Sequence, residues 1–80
     1  MKSPRSLSAK ELIKLLKFYG YEFTSQKGSH IKITTRRNGE HHLAIPNHDP
    51  IKTGTLNAIL RQVAEHLDKT KEEIFGELFS

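Results

Sequence analysis

The chain contains no cysteine. A disulfide framework and a cysteine-type zinc site are therefore excluded. Unbroken apolar runs never exceed three residues, far short of the roughly 20 needed to span a membrane. No signal peptide is recognisable either. There is no internal repeat and no low-complexity segment. Proline is scarce, with three in all, and two of them fall in the segment 46–52, which reads as a loop. These absences point to a cytoplasmic protein with no membrane contact. With 80 residues, 35% of them apolar, the chain makes one small domain with a thin core and no deep pocket.

Positive charge is present in excess and is unevenly placed. Residues 1–40 hold nine Lys/Arg against three Asp/Glu, a balance of +6; residues 41–80 hold four against six, a balance of −2. A basic half suits a polyanionic partner, although a basic balance also keeps a plain surface soluble.

Local signals give the element order. Met1 to Arg5 reads as a disordered basic tail, and the flexible segment is taken as residues 1–7. Ser8 and Glu11 have the spacing of a capping box, with Leu7 and Leu12 placed for a hydrophobic staple around it. Leu12, Leu16 and Tyr19 follow helical spacing, widened by Ile13 and Leu15, and Gly20 suits the helix end. Three strands are predicted, near 21–25, 29–36 and 40–45. A second helix starts near Thr53 or Gly54, with the stripe Leu56, Ile59, Leu60, Val63, Ala64 and Leu67. A third, short helix begins at Thr70, with Glu73 completing another capping box and Ile74, Phe75, Leu78 and Phe79 as its apolar side.

Paired strand residues must share a face, and this condition selects the turns. A three-residue loop, Arg37-Asn38-Gly39, pairs Ile33 with Leu43 and Ile31 with Ile45. A matching loop, Gln26-Lys27-Gly28, pairs Tyr21 with Ile33 and Phe23 with Ile31, and sets Thr24 beside His30. The result is an α+β fold, a three-stranded antiparallel meander with helices packed on one face. The opposite, open face then carries Glu22, Thr24, His30, Lys32, Thr34, Arg36, His42 and Ala44.

His30 is the most informative residue on that face. It follows Gly28-Ser29 and shares its face with Lys32 and Arg36, an imidazole beside cations, which suits a phosphodiester. The other histidines carry less. His41 and His42 point to opposite sheet faces. His42 lies opposite Thr34 on the open face, His48 reads as solvated, and His66 suits the dipole of a helix end. No three have metal-ligand spacing. The Thr53-Gly54-Thr55 helix start offers backbone N–H groups for a phosphate, or simply a capped, closely packed helix end.

Four short elements occur in order: Ser8-Ala9-Lys10-Glu11-Leu12, Gln26-Lys27-Gly28-Ser29-His30, Ile45-Pro46-Asn47-His48 and Lys52-Thr53-Gly54-Thr55-Leu56. Together they resemble the HicA toxin family of mRNA interferases over roughly residues 8–66. The resemblance implies a double-stranded-RNA-binding-domain-like α-β-β-β-α fold over residues 8–67; the C-terminal helical extension over 68–80 runs past the short family core. It implies endoribonuclease activity on mRNA, with the histidine of Gly-Ser-His, here His30, as the catalytic residue. It also implies a cognate HicB antitoxin that covers the active face. The paired His41-His42 departs from the family motif.

RNA carries its own nucleophile, the 2′-OH, and a histidine titrates near neutrality, so His30 suits general acid–base work on the phosphodiester. The expected RNA contacts are Lys27, Gly28, Ser29, Lys32, Arg36 and His42, with Lys27, Lys32 or Arg36 stabilising developing charge. No cofactor and no metal are expected. The alternative is a non-catalytic RNA-binding module using the same open face; a third reading makes that face a protein-docking surface. With Tyr21 and Phe23 expected to face the core, no aromatic platform for single-stranded bases is expected.

Overall fold

The computed structural model describes residues 7–79. The basic tail therefore lies outside the described residues, apart from Leu7, which is fully buried in the core. The elements run α1 (Ala9–Leu16), a 3₁₀ turn (Lys17–Tyr19), β1 (Glu22–Lys27), β2 (His30–Thr35), β3 (His41–Pro46), α2 (Thr53–Leu67) and α3 (Lys71–Phe79). The strands form one antiparallel sheet in the order β1-β2-β3.

Both capping boxes are formed. At α1 the Glu11 N–H donates to Ser8 Oγ at 3.1 Å, and the Ser8 N–H donates to Glu11 Oε1 at 2.9 Å. At α3 the Glu73 N–H donates to Thr70 Oγ1 at 3.0 Å, and the Thr70 N–H donates to Glu73 Oε1 at 2.8 Å. The first helix stops at Leu16 rather than running to Tyr19, because its last turn tightens to 3₁₀ before Gly20 reverses the chain at φ +87°.

One core joins the layers. Leu12 and Leu16 from α1, Ile31 and Ile33 from β2, Leu43 and Ile45 from β3, and the α2 stripe are buried together. Ile74 and Phe79 of α3 belong to the same core, whereas Phe75, expected on that side, is 43% exposed. The Tyr19 hydroxyl and Lys69 Nζ both donate to the Glu77 carboxylate, at 2.6 and 2.9 Å, and tie α3 to the domain. Among the described residues no helix is long and apolar enough to cross a membrane.

The second hairpin has the expected register, with Ile33 opposite Leu43 and Ile31 opposite Ile45. The first does not. Lys27 pairs with His30, so the loop is the two residues Gly28-Ser29, and the register shifts at Thr24. Gly28 adopts φ +60° while Ser29 does not take a positive φ, which is the pattern of a type II′ turn with glycine first. A two-residue loop alone would send Tyr21 to the open face. The bulge at Thr24 restores the parity, so Phe23 pairs with Ile33 and Glu22 with Thr34, and Tyr21 comes inward to be fully buried. Thr24 consequently sits beside Thr34, not beside His30. Phe23 is on the inner side by register yet 60% exposed, because no residue of the edge strand β1 is covered.

Thr35, the one buried polar residue among the described residues, fixes the junction of α1 and the sheet. Its hydroxyl donates to the Tyr19 carbonyl at 2.8 Å and accepts from the Arg37 N–H at 3.1 Å. A Cβ on Gly20 would lie 2.9 Å from that hydroxyl. Thr35→Val keeps the shape but leaves two backbone groups without their partner. It is expected to lower stability by about 1–3 kcal/mol, measurable by urea denaturation; a change within about 0.5 kcal/mol would contradict this role.

Candidate functional site

The open face of the sheet divides into two ends. His30 marks the first. It opens β2, is exposed, and has Lys27 opposite it on β1 and Pro46 opposite it on β3. Lys32 lies two residues further along the same face, about 7 Å away. Paired residues on adjacent strands have Cβ atoms about 4.5–5.5 Å apart, so Lys27 stands beside His30 across the hairpin and Lys32 next along its own strand. The backbone beneath is held from three directions: Gly28 makes the turn, Ser29 follows it, and the Asn47 N–H donates to the Ser29 carbonyl at 2.6 Å. The loop after β3 is itself anchored, with the His48 carbonyl accepting from the Ala9 N–H at 3.1 Å and the Ile51 N–H donating to the Leu7 carbonyl at 2.8 Å. Among the described residues neither ring nitrogen of His30 is engaged by a side chain or backbone group.

Lys27, Gly28, Ser29 and Lys32 are thus gathered around His30, as the sequence leads one to expect. Arg36 and His42 are not. Arg36 is six residues along, about 20 Å from His30 in an extended strand, too far to stabilise charge at a phosphate that His30 touches. His42 faces Thr34 across the strands, at the second end.

That end holds a hydrogen-bonded chain. His42 Nε2 lies 2.9 Å from Glu40 Oε2. His42 Nδ1 is 2.8 Å from Thr34 Oγ1, which is 2.7 Å from Thr24 Oγ1. These residues, with Gly20, Glu22, Phe23 and Arg36, line a shallow hollow of about 440 Å³. Tyr21 is buried as expected, but Phe23 is not: its exposed ring, on the uncovered edge strand, borders this hollow. Sequence reasoning placed His42 opposite Thr34 but overlooked Glu40. The available signal was its spacing, two residues before His42 and so on the same face of the strand.

Two further histidines are structural. His41 faces the helix side, where its Nδ1 accepts from the Tyr21 hydroxyl at 2.7 Å and its ring stacks on His66 at 4.3 Å. His66 Nε2 donates to the carbonyls of Arg37 and Gly39, each at 2.9 Å, and Asn38 Nδ2 donates to the His66 carbonyl at 2.7 Å. His66 thereby clamps the β2–β3 loop to the end of α2, a larger role than a favourable charge at a helix terminus. Burial pushes the Tyr21 phenol up to about 12, so it keeps its proton. Burial, and then the neighbouring His66 and His42, hold His41 below the ordinary imidazole value.

A depressed folded-state value means that the unfolded chain takes up this proton first. The contribution to stability is complete above the unfolded value, about 6.5, and is lost as the pH falls through the folded value. The melting temperature should therefore drop between about pH 7.5 and about pH 5.5, and His41→Gln should shrink that drop. An equal drop in the variant would show that His41 is not its source. Among the described residues no group of three or more His, Asp or Glu side chains is placed to hold a metal ion.

Comparison with known proteins agrees with this arrangement at the level of family. No curated protein and no solved structure gives a match. The profile described as the HicA toxin of bacterial toxin–antitoxin systems matches residues 9–64, a span from the first residue of α1 to near the end of α2 that includes both ends of the open face. This chain belongs to the HicA toxin family.

Proposed function

We propose that this toxin is an endoribonuclease that cleaves mRNA, with His30 as the group that moves the proton. The observation that carries the reading is the state of His30 among the histidines. His42 has both ring nitrogens engaged, and His41 and His66 are built into the contact between sheet and helix. His48 is exposed, but it lies in the loop after β3 and off the sheet face. His30 stands on the open face with its ring free among the described residues and with Lys27 and Lys32 beside it.

The chemistry follows from RNA itself. His30 takes the proton from the 2′-OH, whose oxygen attacks the adjacent phosphorus. The P–O5′ bond breaks, the 5′-oxygen leaves with a proton, and a 2′,3′-cyclic phosphate remains. Lys27 and Lys32 stabilise the charge that builds on the phosphorane oxygens. The turn at Gly28-Ser29 brings the backbone close to the phosphate, and Arg36 and His42 contact the strand further along. Such phosphate contacts make binding salt-sensitive. A cognate antitoxin of the HicB type neutralises the toxin by covering this face.

The test is to induce the chain and its His30→Ala variant in a bacterial host and to identify the ends of the cut RNA. Arrest of growth with loss of mRNA and cyclic-phosphate ends, in the wild type alone, is the expected result. Ends carrying only 3′-OH and 5′-phosphate would rule out the 2′-OH mechanism. RNA binding without cutting would favour a binding module on the same face.

A further inference from the structure

The hollow at the second end of the open face has chemistry of its own. The Glu40 carboxylate can only accept, so His42 Nε2 carries the proton that joins them at 2.9 Å. With the imidazole neutral, Nδ1 is a bare acceptor, and the Thr34 hydroxyl donates to it at 2.8 Å. The Thr34 oxygen is then left to accept from Thr24 at 2.7 Å. In this neutral form each proton points along the chain, and the Thr24 hydroxyl has as its other acceptor the Glu22 carbonyl, at 3.5 Å, so none is offered to the hollow. What remains toward the hollow from its polar side chains is a set of acceptors: lone pairs on Thr24 and Thr34, the second oxygen of Glu40, and Glu22. The exposed Phe23 ring adds an apolar wall on which a base can stack. Among the described residues Arg36 is the one Lys or Arg lining it.

Resting on the RNA reading above, we infer that this hollow is a base-reading subsite for a nucleotide bearing an exocyclic amino group. It takes cytosine, adenine or guanine in preference to uracil, while Arg36 holds a neighbouring phosphate. A phosphate alone would be repelled by two carboxylates, whereas an amino group supplies the donor that the acceptors need; carboxylate recognition of the cytosine amino group is an established pairing type. At the position where cytosine carries its exocyclic amino donor, uracil sets the O4 carbonyl oxygen against these lone pairs, and its N3–H is flanked by oxygens on both sides. The face as a whole is thus divided, with cations around His30 for the backbone and acceptors at the hollow for a base. Thr34 lies four residues along β2 from His30, about 13 Å away. The base that is read therefore lies along the strand from the linkage that is cut.

Binding of labelled oligocytidylate and oligouridylate, each of roughly eight nucleotides, separates the possibilities. The two have equal backbone charge. The protein is the full chain carrying His30→Ala, so the RNA stays intact, at about pH 8, above the ordinary imidazole range. Oligocytidylate is expected to bind at least about fivefold more tightly. Glu40→Gln and Thr24→Val, each added separately, should bring that ratio toward one. Equal affinity for the two oligomers, or an undiminished ratio in both variants, overturns the subsite while leaving RNA binding intact. Failure to bind either oligomer at low salt overturns the RNA reading and the subsite with it.

Discussion

His30→Ala is expected to lower the rate of RNA cleavage by roughly 10²–10⁴-fold and to leave the fold untouched. The two halves of this expectation have separate grounds. The loss follows from removing the single free imidazole on the open face among the described residues, the group suited to take the 2′-OH proton. The unchanged fold follows from the exposure of the side chain: it fills no cavity and completes no hydrogen bond among the described residues. Stability should therefore stay within about 0.5 kcal/mol of wild type. Cleavage of a labelled transcript and a urea melt on the same preparations test both halves. A variant that cuts at the wild-type rate would remove His30 from the chemistry. A variant that fails to fold would make the activity result uninformative, and Lys27→Gln would then carry the test, with a smaller expected loss from weaker charge stabilisation.

Ile74→Ala is expected to have the largest effect on stability, about 2–5 kcal/mol. Ile74 is fully buried, and the helix that carries it contributes Phe79 to the same core. In a domain whose total stability is of order 5–15 kcal/mol, this is a large share. At about 4–8 °C per kcal/mol for a chain of this size, the melting temperature should fall by at least about 8 °C, read by circular dichroism. A drop of about 2 °C or less would mean that α3 rests on the domain without completing its core. The Glu77 contacts to Tyr19 and Lys69 add little by comparison, because Glu77 is solvent-exposed and its carboxylate, held below the ordinary value by those hydrogen bonds, is screened by water.

The parts of the fold that were legible in advance share one property: they depend on residues close together in the chain. Ser8 with Glu11 and Thr70 with Glu73 sit three residues apart, within reach of one helical turn. The α2 stripe repeats at helical spacing and is buried as a stripe. The second hairpin was legible because the alternation of Ile31 and Ile33 against Leu43 and Ile45 admits one register around Gly39. In the first hairpin the same reasoning selected the wrong loop. A two-residue turn and a bulge each shift parity, and together they cancel, leaving the apolar faces just as satisfied as a three-residue loop would.

The sequence by itself determined the element order, the open face and the position of His30 on it, because strand alternation and helix capping act over a few residues and need no partner from elsewhere. Only the tertiary structure decided which groups meet. It set Lys27 directly opposite His30, joined Glu40, His42, Thr34 and Thr24 into one chain, exposed Phe23 at an uncovered edge, and stacked His66 on His41 from a helix 25 residues away. These outcomes depend on the register of paired strands and on where a helix ends against a loop. One bulge moves every pairing beyond it by a residue, and no local preference encodes that sum.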